Sequence, residues 1–276
     1  MRNKILGIVF VLLVSAISFN FKSEANLVNY DPCEINNWTF TGGEQLTYKI
    51  YYNWNFMWLP AGEAVFKVMD EGDQYHISVK GRTYSSYEWF FKVRDNYDTY
   101  IDKKTLLPSV AIRDVDEGSY KLYEKLVFNQ THELVTSYRG DSPKDLNIKQ
   151  YKLSECMHDL ISVLYHTRNY QYEKFNKGQE FPVKIFMDKA IWPLSVKYKG
   201  RFTNLTVKGS GKYKAFKFSP EVISGTVFKK GTEMDVWVSD DNNRIPLYIE
   251  SPVSVGSVKI VLKDYKGLKY PLTAKI

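Results

Sequence analysis

The residues best equipped for chemistry lie in the segment 154–169 (SECMHDLISVLYHTRN). His158, Ser162 and His166 follow one another at intervals of four residues, and Asp159 lies beside the first. A serine, a histidine and an aspartate can form a nucleophile with its base, and two neutral imidazoles can bind a metal. On a helix, however, the two histidines would lie about 12 Å apart along the axis, too far for one zinc ion. A serine in mid-helix also lacks the sharp turn that exposes catalytic nucleophiles. We therefore predict a solvated or hydrogen-bonded polar face, with no catalytic residue, metal or cofactor.

The same segment predicts the one long helix of the chain. At 100° per residue, an apolar arc forms on the side opposite the histidines. The arc consists of Cys156, Met157, Leu160, Ile161, Val163, Leu164 and Tyr165. Ser154 suits the N-cap, and Arg168 suits the negative end of the helix dipole. Because strand-rich blocks flank the segment, we expect the apolar face to cover a sheet.

The flanking blocks have the alternation of β-strands. Before the helix, strands are predicted from Gly43 and in segments 61–69, 75–79, 95–102, 107–114, 120–129 and 132–139, with 53–60 interrupting the pattern. After it, they are predicted at 180–187, 194–198, 205–208, 212–218, 234–239, 246–250 and 255–262. Short strands joined by turns indicate an antiparallel meander. We therefore predict a mainly β fold: a meander curled into a partly open β-barrel, with one central amphipathic helix packed against it.

Aromatic side chains crowd two irregular connections. The first holds Tyr51, Tyr52, Trp54, Phe56 and Trp58, and the second holds Tyr84, Tyr87, Trp89, Phe90 and Phe91. Large aromatic side chains in connections either cap the core, line an apolar pocket or form a contact patch for a partner. Pockets favour the mouths of β-barrels. Under the pocket interpretation, the ligand-binding residues are predicted to be Trp54, Phe56, Trp58, Trp89 and Phe90.

The N-terminus predicts export. Arg2 and Lys4 precede an apolar run over residues 5–19, and Ser23-Glu24-Ala25 supplies small residues where a signal peptidase cleaves. We predict a signal peptide over 1–25, an extension over 26–42 and a single β-rich domain over 43–276. The mature chain, which contains no further run long enough to span a bilayer, would be periplasmic or secreted.

The two cysteines, Cys33 and Cys156, are expected to pair in an oxidising compartment. Their bridge would tie the extension 26–42 to the predicted helix. The alternative is that both are unpaired small hydrophobic residues.

Charge argues against a nucleic-acid partner. The formal net charge is +7, but the basic residues are spread along the strands and no basic face is concentrated. A mildly basic exported protein could still favour anionic lipid or polysaccharide surfaces.

Several stretches, in this order, resemble the bacterial family catalogued as domain of unknown function 3108, over roughly residues 43–265. They are Gly43-Glu44-x-Leu46-x-Tyr48, Ala61-Gly62-x-Ala64, Lys92-Val93-x-Asp95-x-Tyr97-x-x-Tyr100-Ile101-Asp102, Asp159-Leu160-x-Ser162 with Tyr165 and Arg168, and Trp237-Val238-Ser239-Asp240-Asp241-x-x-Arg244-x-Pro246. The resemblance implies an exported β-rich protein with no established activity. It carries over no catalytic residues.

These observations favour a non-enzymatic protein that binds an apolar or amphipathic envelope ligand, a lipid or a glycan. The alternative is an envelope assembly or scaffolding protein that docks a protein partner through its aromatic loops. A hydrolase using Asp159 with His158 ranks third. A pocket beneath the aromatic loops would favour binding, and a packed interior would favour scaffolding.

Overall fold

The computed structural model describes residue 33 and residues 35–54, 57–89, 91–221, 234–253 and 256–276. The predicted signal peptide, residues 1–25, lies outside this part of the chain. So do Phe56 and Phe90, and the side chain of Trp54.

The described residues form one 14-stranded antiparallel sheet. Its first eight strands are β1 (Gln45–Trp54), β2 (Met57–Glu71), β3 (Gln74–Thr83), β4 (Arg94–Asp102), β5 (Pro108–Glu117), β6 (Tyr120–Asn129), β7 (Leu134–Ser142) and β8 (Asp145–Lys152). The other six are β9 (Glu180–Met187), β10 (Ala190–Val207), β11 (Gly211–Pro220), β12 (Asp235–Ser239), β13 (Pro246–Pro252) and β14 (Ser257–Lys266). The mainly β, partly open fold predicted from the sequence is confirmed.

The strand order is that of two meanders that pair through β1 and β14 in the middle of the sheet. It runs β8-β7-β6-β5-β4-β3-β2-β1-β14-β13-β12-β11-β10-β9, so β8 and β9 are the two terminal strands. Most strands that follow each other in sequence are joined by short connections, which favour antiparallel hairpins, and the β3–β4 and β11–β12 connections are longer. The segment between β8 and β9 differs from all of these because it must cross from one edge of the sheet to the other.

Strand alternation defines the inner face of the sheet. In β4, Asp95, Tyr97, Thr99 and Ile101 are buried, and the residues between them are partly exposed. Thr99 opposes Ile77 of β3 and Ala111 of β5, so all three side chains share one face. That face packs against the segment between β8 and β9 in a core that includes Tyr165, Tyr172, Phe181 and Phe218.

The interruption predicted over 53–60 is wrong. β1 continues to Trp54 and β2 begins at Met57, with Trp54 opposite Met57 in the register. Tyr51, Tyr52 and Trp58 are therefore part of a hairpin rather than of a long connection. Aromatic residues suit extended strands well, which explains why the strands continue through them.

The helix is much shorter than predicted. α1 spans Ser162–Thr167, its N-cap is Ile161 rather than Ser154, and a 3-10 helix follows at Tyr172–Lys174. Upstream of α1, His158 forms a parallel bridge with Ile185 of β9, and Cys156 has φ of 55°. Backbone pairing with a sheet edge therefore replaces the first turns of the predicted helix. Neither described helix is long and apolar enough to cross a bilayer.

The predicted orientation of this segment is also wrong. His158, Asp159, Ser162 and His166 are all buried, whereas Leu164 of the predicted apolar arc is 44% exposed. The polar side chains face inward because the sheet offers them partners: Thr99 Oγ1 donates a hydrogen bond to Asp159 Oδ1 at 3.0 Å. The segment is thus held inside the curved sheet by polar as well as apolar contacts.

The cysteine prediction is confirmed. Cys33 and Cys156 form a disulfide with a Cα–Cα distance of 5.1 Å and a sequence separation of 123 residues. It ties the N-terminal segment to the stretch that precedes α1. The same segment is held a second time where Asn169 Oδ1 accepts a hydrogen bond from the backbone N–H of Trp38 at 2.8 Å.

Candidate ligand-binding cleft

The two terminal strands of the sheet, β8 and β9, approach each other across a gap that we call the seam. Strands β8 and β9 are the two ends of the sheet and are not neighbours in it. Side chains bridge the gap instead: the rings of Tyr151 and Phe186 lie 5.4 Å apart between centroids. The sheet is closed at this point by side-chain packing rather than by backbone hydrogen bonds.

The tip of the β9–β10 hairpin supplies the second bridge. Asp188 and Lys189 form a two-residue loop between the paired residues Met187 and Ala190, with φ of 49° and 68°. Such loops require positive φ at both central positions, which glycine, asparagine and aspartate tolerate far better than lysine. Lysine at the second position is therefore kept at a conformational cost, as is common at functional sites.

Asp188 reaches the inner face of β5 and β7. Its Oδ1 accepts hydrogen bonds from Arg113 Nη2 at 2.7 Å and from Arg139 Nη1 at 2.9 Å. The side chain of Glu124, which is fully buried on β6 between the two arginines, accepts a hydrogen bond from each of them. Two guanidinium groups and two carboxylates thus form a balanced network across the seam.

The pKa values of this network reflect strong pairing. Burial alone would lower the pKa of Arg113, but the carboxylates of Asp188 and Glu124 outweigh it and raise that pKa. Burial alone would raise the pKa of Asp188, but Arg113 and Arg139 outweigh it and lower that pKa. Arg113 and Asp188 are therefore both charged at neutral pH.

A cleft of about 290 Å³ lies beside this network. Its lining comes from strands β6, β7 and β8 and from the tip of the β9–β10 hairpin. The lining residues are Tyr120, Lys121, Leu122, Ser137, Arg139, Gly140, Asp141, Asn147, Lys149, Tyr151 and Lys189. The lining combines aromatic and aliphatic surface with four cationic side chains and one carboxylate, which suits an amphipathic ligand better than a purely apolar one.

Two of these cations have no carboxylate partner. Within the described part of the chain, Lys149 and Lys189 make no ion pair, whereas Lys121 lies 3.5 Å from a carboxylate oxygen of Asp116. Lys149 Nζ instead lies over the ring of Tyr151, 5.4 Å from its centroid. The two lysines are on opposite sides of the seam and are both exposed to solvent.

The residues predicted to bind a ligand lie elsewhere. Trp58 packs beside Tyr51, with ring centroids 5.3 Å apart. Tyr51 follows the inward-facing Ile50, so both aromatic side chains lie on the outer face of the sheet. Trp89 is 84% exposed in the turn after β3. Neither lines the cleft, and their ligand-binding role stays a prediction.

The sequence analysis missed the cleft because it missed β8. The segment DLNIKQYK has three charged residues and a mostly exposed surface, so it lacks the apolar alternation of a half-buried strand. A signal was nevertheless present: Glu124 lies between Leu122 and Leu126 in the otherwise apolar inward positions of β6. Charged residues at inward positions of a strand mark a polar interior.

The buried cluster around α1 is a second polar site. His158 Nδ1 lies 3.1 Å from Ser162 Oγ, and the His158 and His166 rings are 4.4 Å apart. Burial lowers the pKa of His166 to about 4 and that of His158 well below its usual value, so both imidazoles are neutral. The void beside Asp159 measures about 10 Å³, room for no more than about one water molecule. The cluster positions the segment inside the sheet.

Comparison with known proteins finds one family model and several solved structures that are similar to this chain. A family model described as protein of unknown function (DUF3108) matches residues 47–263. No curated protein matches the chain. The crystal structure of a beta-barrel-like protein of DUF1849 from Brucella abortus aligns with a TM-score of 0.55 at 8% identity, covering 83% of this chain and 98% of that one. This likeness shows the fold alone.

Two further solved structures align less well. A candidate lipoprotein from Parabacteroides distasonis has a TM-score of 0.33 at 10% identity, covering 85% of this chain and 99% of its own. A candidate exported protein with a YmcC-like fold from Bacteroides fragilis has a TM-score of 0.29 at 11% identity, covering 85% of this chain and 100% of its own.

Proposed function

This chain belongs to the DUF3108 family, and we propose that it is an exported, non-enzymatic protein that binds an amphipathic ligand of the cell envelope, a lipid or a glycan, in the seam cleft. The observation that carries the proposal is the cleft of about 290 Å³ on the inner face of the open sheet, where its two edges meet. Openings of β-barrels are frequent sites of small-molecule binding.

The lining supports an amphipathic ligand. Tyr120, Leu122 and Tyr151 offer aromatic and aliphatic surface, and Lys149 and Lys189 offer charge. Aromatic side chains supply contact area at a low cost in conformational entropy. A ligand with an apolar and a polar part could therefore use both kinds of lining at once.

The buried cluster around α1 supports a non-enzymatic role. Ser162 is fully buried and His158 is 3% exposed. A nucleophile and its base must reach a space that a substrate can enter. The void of about 10 Å³ beside Asp159 is too small to admit a substrate.

The first test is native mass spectrometry of the protein purified from its own envelope fraction, followed by organic extraction of any bound molecule. We expect a stoichiometric lipid or glycan adduct on the wild-type chain. Asn147→Trp should abolish that adduct, because Asn147 lines the cleft and an indole would fill it. An adduct that Asn147→Trp retains in full would contradict the proposed location.

The matched control is Gln150→Trp. Gln150 is exposed on the same strand but does not line the cleft, so this variant should keep the adduct. Trp58→Ala and Trp89→Ala test the aromatic site predicted from the sequence. Loss of the adduct in these two variants alone would move the ligand to the aromatic loops.

The second candidate function is scaffolding of a protein partner. It is favoured by exposed apolar side chains near the β1–β2 hairpin: Met57 is 54%, Leu59 is 38% and Trp89 is 84% exposed. The turn that carries Trp89 begins beside β2, where the backbone N–H of Tyr84 donates to the carbonyl of Ala61 at 3.0 Å. A photoreactive residue in place of Trp89 should crosslink one defined envelope protein if this candidate is correct. The same residue in place of Gln150 should not.

A further inference from the structure

We propose, building on the ligand-binding function above, that the seam cleft recognises an anionic group of its ligand, a phosphate or a carboxylate, through Lys149 and Lys189. The inference goes beyond the presence of a cleft, because it names the chemistry of the ligand and the two side chains that select it.

The charges around the cleft are the first support. Arg113 and Arg139 are balanced by Glu124 and Asp188 within the buried network. Because these two carboxylates already pair with the arginines, they do not neutralise Lys149 and Lys189.

The remaining lining is cationic. Lys121 approaches Asp116, and Asp141 is the one carboxylate in the lining against the three lysines that remain. Lys149 and Lys189 thus leave positive charge without a partner in the described part of the chain. An anion that enters the cleft would supply that partner.

The placement of the two lysines is the second support. Lys149 opposes Ser137 in the register of β7 and β8, which directs it to the inner face. Lys189 lies across the seam on the tip that Asp188 anchors to Arg113 and Arg139. An anion between the two ammonium groups would contact both edges of the sheet.

The floor of the cleft can add donors. Arg139 uses Nη1 for its bonds to Glu124 and Asp188, and its Nε and Nη2 make no hydrogen bond to a described residue. A guanidinium group presents five N–H donors in a fixed plane, a geometry that suits phosphate and carboxylate oxygens. Two ammonium groups at the rim and a guanidinium at the floor would surround an anion on three sides.

Backbone strain is the third support. A loop of this type would be more stable with glycine or asparagine at position 189, yet Lys189 adopts φ of 68°. Strained backbone positions cluster at functional sites. A lysine at this one places a charge at the rim of the cleft, which glycine would not.

The experiment measures binding to the full mature chain by isothermal titration calorimetry. The probes are dodecyl phosphate as a lipid-like anion, glucose 6-phosphate as a sugar-borne anion and dodecyl maltoside as a neutral amphiphile. We expect at least one phosphate probe to bind about tenfold more tightly than the neutral amphiphile. Raising the salt concentration from about 0.05 M to about 0.5 M should weaken the phosphate probe markedly and leave dodecyl maltoside unchanged.

Two variants test the residues. Lys149→Gln and Lys189→Asn should each weaken phosphate binding about 3- to 10-fold and reduce its salt dependence. Asparagine is chosen at 189 because it tolerates positive φ, so the loop is preserved. The matched control is Lys152→Gln, which removes the same charge from β8 outside the cleft and should bind like the wild type.

The outcomes separate this inference from the proposed function. Equal binding of charged and neutral amphiphiles, or unchanged affinity in both lysine variants, overturns anion recognition while the ligand-binding function stands. Failure of both phosphate probes also overturns it, and the mass of the native adduct then reports on the proposed function independently. Preference for dodecyl phosphate over glucose 6-phosphate assigns the anion to a lipid, and the reverse preference assigns it to a sugar.

Discussion

At the scale of single residues, the most consequential contact is the buried ion pair between Glu44 and Arg168. The guanidinium donates to both carboxylate oxygens, at 2.6 Å and 2.7 Å, and to the carbonyl of Asn243 at 2.8 Å. These bonds join the end of α1 to the start of β1 and to the β12–β13 connection. They account for the burial of Arg168, for which the sequence predicted only a position at the negative end of the helix dipole.

We predict that Glu44→Gln destabilises the protein by about 3–5 kcal/mol, because it leaves the Arg168 charge buried without its partner. The free energy of unfolding in urea would measure this loss. The control is Glu63→Gln, which breaks a pair with Lys263 whose side chains are 28% and 51% exposed. That variant should change stability by no more than about 1 kcal/mol. Equal losses in the two variants would contradict the assignment.

A second residue-scale feature is the carboxyl pair of Asp95 and Glu117. Both are buried on the inner face, at 0% and 5% exposure. Burial raises the pKa of both groups, and the neighbouring Asp95 carboxylate contributes to raising that of Glu117 to about 10. Two such groups cannot both ionise in a desolvated site, so the pair holds a proton at neutral pH.

This proton makes stability depend on pH. The folded state retains a proton that an unfolded glutamic acid, with its ordinary pKa, releases above about pH 4.3. The folded state therefore binds more protons than the unfolded state, and stability falls as the pH rises towards 10. We predict that Glu117→Gln flattens this decline between about pH 5 and pH 9, as followed by urea unfolding. An unchanged slope would contradict a shared proton.

At the scale of elements, the segment between β8 and β9 combines several short pieces. Its first part pairs with β9 at Ile185, its middle forms α1, and its end forms the 3-10 helix Tyr172–Lys174. A helix of α1's length is unstable by itself, so tertiary contacts must hold it. The disulfide at Cys156 and the hydrogen bond from Thr99 Oγ1 to the Asp159 carboxylate supply two of them.

We predict that reducing the Cys33–Cys156 disulfide lowers the free energy of unfolding. The bridge spans 123 residues of sequence separation. In the chain-entropy model, closing a loop of this size contributes about 4–5 kcal/mol. Urea unfolding with and without a reductant measures the difference, and Cys33→Ser without reductant should match the reduced wild type. A loss below about 1 kcal/mol would show that the bridge constrains the unfolded chain little.

At the scale of the whole molecule, the sheet is continuous everywhere except at the seam. β1 and β14 join the two meanders by backbone pairing with one register shift between Thr47 and Tyr48, whereas side chains connect β8 with the β9–β10 hairpin. Asp188 is central to that connection because it binds two arginines from the opposite side. The seam is therefore the place where the molecule can open at the lowest cost, and the candidate cleft lies within it.

We predict that Asp188→Asn destabilises the protein by about 2–4 kcal/mol, since it leaves excess positive charge on the buried Arg113. Asparagine accepts positive φ, so the loop itself should be kept. Hydrogen exchange should accelerate first in β8 and β9, with β1 and β14 protected as in the wild type. Uniform acceleration over the whole sheet would show that the seam is not a separate opening unit.

Local pattern alone determined much of this protein. The alternation in segments such as 95–102 and 120–129 predicted their strands, because side chains of a strand alternate between a buried and an exposed face. Short connections then predicted antiparallel neighbours and a curled meander. The presence of two cysteines and the predicted export to an oxidising compartment predicted the disulfide.

Contacts distant in sequence decided the rest. The inward direction of His158 and Asp159 depends on Thr99 and on β9, and the position of Arg168 depends on Glu44, which lies 124 residues away. β8 is an exposed edge strand and lacks the apolar alternation of a half-buried strand. Its sequence pattern therefore did not predict a strand. The cleft requires β8 and the tip of the β9–β10 hairpin to meet across the seam. Only the curvature of the whole sheet brings Lys149 and Lys189 to the same cleft, which is why sequence spacing could not predict the candidate site.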